Sequence, residues 1–291
     1  MTMHSKGLLL TALGVLIISP DALLIRLIGM DVWSTSAWRG GLQAIGLFVV
    51  LAVVYRGRLP AVFRSIGWAG LLIAVVTAIT NSAFVAGIKF TSVANALVIL
   101  ASVPFHAAVM SRVFLGEQIA LRTWVAILAG LGGISIIVWD GIGGGSSFGD
   151  AMALMAAILL AAQLTLMRGM REINMIPAVA IGGVIYAVMA IAIGGVPQAP
   201  NEMQMLWIVT MGFAVTVPGT ALLALGPRYI SSPEVGLLVL LETVLGPLWV
   251  WLVIHEAPSE WTLVGGAVVV ATLVAHSLLS LRDQARRRAQ I

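Results

Sequence analysis

Apolar residues run along this chain in long unbroken stretches separated by short polar links. A helix that crosses a bilayer needs about 20 mostly apolar residues. The stretches predict ten such helices, over residues 7–27, 33–54, 67–88, 93–114, 121–139, 149–169, 177–194, 205–225, 234–254 and 260–281. Links such as Arg56–Arg64 and Arg171–Pro177 are short and polar, and read as loops. A membrane barrel would alternate apolar and polar residues over segments of about ten, and these runs do not alternate.

Composition agrees and narrows the class. Hydrophobic residues make up 60% of the 291 positions and charged residues 10%, with a mean hydropathy of +1.06. A soluble domain carries about 25% charged residues, too many more for this chain to be one. Ten spans use roughly 200 positions, which leaves only loops and tails and no room for a soluble domain. The chain has no cysteine, so disulfides, thiolate metal sites and thiol catalysis are excluded. Met1–Lys6 leads straight into an apolar segment without a small-residue cleavage site, and is read as the start of the first span rather than a removed signal.

The net charge of +4 is explained by topology. With the N-terminus inside, the inner helix ends hold Lys6, Arg56, Arg58, Arg64, Arg112, Arg122, Arg168, Arg171, Arg228, Arg282 and Arg286–Arg288. The outer ends hold only Arg26, Arg39 and Lys89. This positive-inside bias predicts a multi-pass protein of the bacterial inner membrane with both termini cytoplasmic. The basic tail Arg286–Arg288 reads as an anchor beside anionic lipid, and no nucleic-acid partner is expected.

The loop Gly141–Ser147 lies near the midpoint, with five predicted spans on either side. A shift of 139 residues places Gly87, Lys89, Phe90 and Ser92 on Gly226, Arg228, Tyr229 and Ser231, and Glu117 on Glu256, without a gap. Five is odd, so the second set must be inserted upside down relative to the first. The expected fold is therefore an all-α integral membrane protein of ten transmembrane helices in two inverted five-helix repeats, 1–140 and 148–291, joined by a linker at 141–147. Inverted repeats are a signature of secondary transporters.

These features, together with Leu115-Gly116-Glu117 at the end of the fourth span and Trp38-Arg39 at the start of the second, resemble the drug/metabolite transporter superfamily, and within it the EamA-type members. The chain is most similar to YddG-type exporters of amino acids. The resemblance covers essentially the whole chain. It implies a basket-like bundle around a central substrate cavity, and amino-acid export by alternating access. The chain departs from the pattern at Ile18-Ser19-Pro20-Asp21, where many relatives carry a tryptophan–glycine–serine–asparagine stretch, and at His255-Glu256, where glycine–glutamate is usual.

Polar side chains inside a bilayer are costly and usually face a cavity or another helix. Glu242 stands about eight residues into the ninth span among apolar neighbours. It is read as a carboxyl that binds a substrate ammonium or carries a proton, against the alternative of a structural hydrogen bond. Asn95, Ser102 and His106 are spaced by seven and four and share one stripe of a continuous helix. Either a cavity wall or helix–helix hydrogen bonding explains that stripe. Thr77, Asn81 and Phe84 form a similar stripe. Gln43 and Gln163 lie inside the second and sixth spans, Thr216 and Thr220 bracket Pro218, and Trp249 lies deep in the ninth. The expected substrate-binding set is Glu242, His106, Asn81, Asn95, Ser102, Gln163 and Trp249. Asp21 follows Pro20 and is expected to pair with Arg39 or Arg26, as an ion pair or an outer gate. Pro104, Pro218 and Pro247 mark kinks or hinges.

No His, Asp or Glu stands at ligand spacing beside His106, so no metal is expected, and no cofactor either. The glycine-rich stretches are not followed by Gly-Lys-Ser/Thr, so they do not bind nucleotide phosphates. Neither His-Glu-x-x-His nor Gly-x-Ser-x-Gly occurs, so an enzyme is not expected and no catalytic residue is assigned. A channel would need a filter or an acidic ring, and neither is recognisable. The leading class is a secondary transporter exporting small metabolites, amino acids foremost by the resemblance. The alternatives are another metabolite or drug class, a channel, or an intramembrane enzyme. The expected partners are a small-molecule substrate and the bilayer, with the protein a monomer or weak homodimer.

Overall fold

The computed structural model describes residues 2–91, 93–139, 146–254 and 260–289. Ser92, linker residues 141–145, His255 and Glu256 lie outside the described residues, as do the side chains of Asn95, Trp139, Pro247 and Arg286–Arg288. Among the described residues the regular structure is entirely helical. With no water in the hydrocarbon core, a helix satisfies its own backbone polar groups, and for that reason apolar runs fold as helices.

The first span is two helices, α1 (Met3–Ile18) and α2 (Asp21–Ile28), broken at Ser19-Pro20. The second is α3 (Val32–Tyr55). A short exposed helix α4 (Leu59–Ser65) follows a 3-10 turn at Arg56–Arg58. The link expected to be a loop is therefore helical. Pro60 near the start of α4 suits a first helical turn, and Phe63 stacks on Phe48 with ring centroids 5.2 Å apart. The third span is α5 (Gly67–Phe90). The fourth is again split, into α6 (Val93–Leu100) and α7 (Val103–Leu115), just before Pro104. The fifth is α8 (Leu121–Trp139).

The sixth and seventh spans are α9 (Ser147–Gly169) and α10 (Ile176–Gly194). The eighth starts as α11 (Glu202–Val209), widens to a π-helical turn at Thr210–Thr216 and ends as α12 (Val217–Leu225). Pro218 lacks an N–H, and the wide turn accommodates the missing bond. The ninth is α13 (Ser232–Ile254), which continues through position 247 without a break. The tenth is α14 (Glu260–Ala289). Among the described residues, eight helical spans are long and apolar enough to cross a membrane. Shorter apolar stretches, Leu121–Gly133 in α8 and Val264–His276 in α14, occupy the fifth and tenth positions.

Caps fix several ends. The Asp31 carboxylate accepts from the backbone N–H groups of Trp33 (2.8 Å) and Ser34 (2.9 Å) at the start of α3. Partial burial would raise the Asp31 pKa, but the hydrogen bonds from Ser34 and Trp33 outweigh it and hold the group below its ordinary value. Gly29 and Gly116 take positive φ of 66° and 65° and end α2 and α7.

The extensive packing interfaces join spans before the midpoint loop to spans after it, among them second on seventh, third on sixth, fifth on tenth, first on eighth and fourth on ninth. Advancing every span by five places maps these pairs onto themselves, or exchanges the third–sixth pair with the first–eighth. Small residues let the backbones meet, as is common between membrane helices. A Cβ on Gly40 would lie 2.8 Å from the Ala187 nitrogen and 2.9 Å from the Gly183 oxygen, whereas one on the adjacent Gly41 would meet nothing within 4 Å. Gly40→Ala is expected to destabilise the purified protein by about 1–3 kcal/mol through overpacking, and Gly41→Ala to leave it unchanged or slightly more stable. Thermal melts in detergent compare the two, and equal melting temperatures would contradict the tight second–seventh interface.

Candidate functional site

A cavity with about 110 Å³ of free space lies at the centre of the bundle. Its polar lining is Asp21, Arg39, Gln43, Thr77, Thr80, Asn81, Gln163, Thr220 and Glu242. Toward the face that carries the N-terminus the lining turns apolar, with Leu164, Met167, Val179 and Ala224.

The break in the first span builds the polar end. Pro20 caps α2, so Asp21 becomes the first residue of a new helix, where the positive end of the helix dipole favours a carboxylate. Arg39, in the third turn of α3, meets it through both carboxylate oxygens: Nη2 donates to Oδ2 at 2.7 Å and Nε to Oδ1 at 3.4 Å. The side chains are 3% and 1% exposed, so the pair is shielded from water. Arg39 Nη1 donates to the Asn81 side-chain oxygen. The guanidinium lies 5.9 Å from the Phe84 ring centroid, and the Thr216 hydroxyl reaches Asp21 Oδ1 at 3.4 Å. The ion pair thus ties α2 to α3, α5 and the π-helical turn. Of the two expected partners, Arg39 is the one Asp21 takes. Arg26 instead donates to the Thr91 carbonyl at 3.0 Å.

Most hydroxyls in the lining are satisfied within their own helices. Thr77 donates to Ile73, Thr80 to Val76 and Thr220 to Thr216, all through backbone carbonyls. The acid and the amides differ. Glu242 is 7% exposed, lines the cavity, and has no hydrogen bond among the described residues. Gln43 is fully buried one turn beyond Arg39, and neither of its amide atoms has a partner among the described residues. Gln43 is not in the expected binding set, and its depth within the second span was the one available signal.

Of the expected substrate-binding residues, the structure brings Glu242, Asn81 and Gln163 to the cavity, beside Asp21 and Arg39. His106, Ser102 and Trp249 lie outside its lining. The shared stripe of the fourth span required a continuous helix, and the break at Ala101-Ser102 changes the register between α6 and α7. Ser102 donates to the Ile99 carbonyl, and the His106 ring nitrogen lies 3.0 Å from the Ser102 carbonyl. Trp249 instead donates its indole N–H to Ser19 Oγ at 2.7 Å and so bonds to the break in the first span. No cluster of three or more metal-ligating side chains occurs among the described residues.

The profile of the EamA-like transporter family matches this chain twice, over residues 5–139 and 147–278. The chain belongs to the EamA-like transporter family. It is a multi-pass membrane transporter. A curated relative, "Riboflavin transporter" of Rhizobium johnstonii, is 24% identical over 229 residues, which cover 76% of this chain and 72% of the relative. A solved chain, titled only "Crystal structure of protein", superposes with a TM-score of 0.80 at 17% identity, covering 96% of this EamA-like chain and 99% of its own. That likeness shows the fold alone.

Removing one partner of a buried ion pair strands the other charge, at a cost of about 3–5 kcal/mol. Asp21→Asn and Arg39→Gln are each expected to lower the melting temperature clearly, and the double variant to recover much of the loss. A double variant no more stable than the sum of the singles would contradict the pairing.

Proposed function

We propose that this protein is a secondary transporter that exports small ammonium-bearing metabolites, amino acids foremost, by alternating access around the central cavity. The observation that carries the reading is Glu242, a buried carboxyl that lines the cavity and has no hydrogen bond among the described residues. Asp21 already has Arg39, so Glu242 is the group left to meet a substrate ammonium. The side-chain amide of Gln163 lies on the same lining and suits a carboxylate, whereas Asn81 is engaged by Arg39 and by the Thr77 carbonyl. The apolar side chains of Leu160, Leu164 and Val239 suit a hydrocarbon side chain.

Two five-helix repeats, 1–140 and 148–291 with the linker 141–147, form the moving halves in this reading. The family profile that matches once on each side of the linker, and the packing pairs that exchange when spans advance by five, support it. An odd number of spans per half inverts the second, which gives the halves equivalent inward- and outward-facing arrangements. The distribution of Lys and Arg supports cytoplasmic termini in a bacterial inner membrane. Asp21–Arg39 is read as a fixed pair that holds the outer end of the cavity together.

A second reading is riboflavin transport, favoured by the name of the Rhizobium relative. The cavity weighs against it. Pockets for drug-sized ligands hold roughly 300–1,000 Å³, well above the 110 Å³ found here. A radiolabelled panel of amino acids, their decarboxylated amines and riboflavin in proteoliposomes separates the readings. Saturable amino-acid or amine flux is expected. Losing a charge-assisted hydrogen bond of about 1.5–3 kcal/mol should cost Glu242→Gln roughly 10- to 100-fold in apparent affinity. Riboflavin flux alone, or wild-type amino-acid flux in Glu242→Gln, would contradict the proposal.

A further inference from the structure

The cavity holds two carboxyl groups and one guanidinium. Arg39 is engaged by both oxygens of Asp21 and by Asn81. It has no short contact with Glu242, although both Asp21 and Arg39 act on Glu242 electrostatically. The other titratable groups on elements packed against α13 stand elsewhere. His4 lies 3.6 Å from Glu234 at the start of α13, about two turns from Glu242, and the charges that act on His276 are Glu234, Arg122 and His4. His106 is held at the Ser102 carbonyl. Lys6 lies over the Tyr229 ring, and Arg168 is tied to Glu117 at 2.8 Å. Asp21 and Arg39, already paired, are therefore the charges that face Glu242.

A lone carboxylate inside a bilayer costs several kcal/mol. One positive charge removes that cost, and the neutral Asp21–Arg39 pair cannot supply it. We propose that Glu242 holds one positive charge at a time, either a proton or the ammonium of a bound substrate, so that the protein exchanges one proton for each substrate it carries. The balance is simple. On the loading side the Glu242 proton leaves to water as the ammonium arrives. On the release side the ammonium departs and a proton from water returns to the same carboxyl. Because both cargoes need the same oxygens, the empty carboxylate is the species that does not cross, and this exclusion enforces coupling. The inference rests on the cavity being the transport site for ammonium-bearing substrates, and adds the coupling rule to it.

The test uses the full chain in proteoliposomes, with the panel of amino acids and decarboxylated amines as probes and the membrane potential clamped at zero. One-for-one exchange predicts that a gradient of one pH unit accumulates a carried probe about tenfold on the acidic side, and that a probe gradient moves protons the other way. Glu242→Asp keeps a carboxyl and should keep the coupling. Glu242→Gln, checked for folding by its melting temperature and a single elution peak, should lose both probe flux and proton movement. Probe exchange at wild-type rate with no response to the pH gradient would overturn the coupling rule and leave the transport reading standing. Coupled proton movement in Glu242→Gln would likewise overturn it. No flux of any panel member would withdraw the transport reading and this inference together.

Discussion

A charged pair inside a bilayer must be complete or it does not persist, and the bidentate bond between Arg39 and Asp21 is the contact on which the centre of this molecule depends. It requires the break at Ser19-Pro20, because an unbroken first span would not place Asp21 at a helix start. It draws in Asn81 and Phe84 from α5 and Thr216 from the π-helical turn. Irregular backbone at membrane depth is tolerated where it is buried in protein or lines a cavity, and the first and eighth spans obey that rule at the same place. Their irregularities face each other across the ion pair.

Once that pair is neutral, the rest of the cavity's chemistry follows by subtraction. The threonine hydroxyls are turned into their own helices, Arg39 is engaged, and among the described residues the Glu242 carboxyl and the Gln43 amide are left without hydrogen-bond partners. Such a lining is poorly suited to an anion, since its one cation is already matched. It suits a solute that brings its own positive charge and, if it also carries a carboxylate, accepts neutral donors for it. The transporter family fixes the general task. In the proposed reading, the residues around Glu242 narrow the kind of cargo.

The sequence made much of this legible. Apolar run length is a direct consequence of bilayer thickness, so all ten predicted spans fall on helices, and depth within a span singled out Glu242, Asn81 and Gln163. Charge arithmetic near Pro20 narrowed the partner of Asp21 to two arginines, and only the packing of α3 against the first span could choose between them. Ser102 and His106 of the fourth span lie outside the cavity lining for a physical reason. Helical spacing carries information only while the helix is continuous, and the break before Pro104 separates His106 and Ser102 from the register that Asn95 implied. Gln43 could not be distinguished from a structural glutamine, because an unsatisfied amide is a property of its surroundings and not of its sequence position. Helix α4 was hidden because a polar, arginine-rich link lacks the apolar length that marked the spans.

The central claim is that the Glu242 carboxyl is where proton and substrate replace each other. Infrared difference spectroscopy tests it most directly, comparing the protein before and after addition of a transported amine. The account predicts that binding removes the carbonyl stretch of a protonated carboxyl and adds carboxylate bands, and that Glu242→Gln, shown to be folded, lacks the change. A difference spectrum with no carboxyl signal in the wild type, or the same signal in Glu242→Gln, would contradict it.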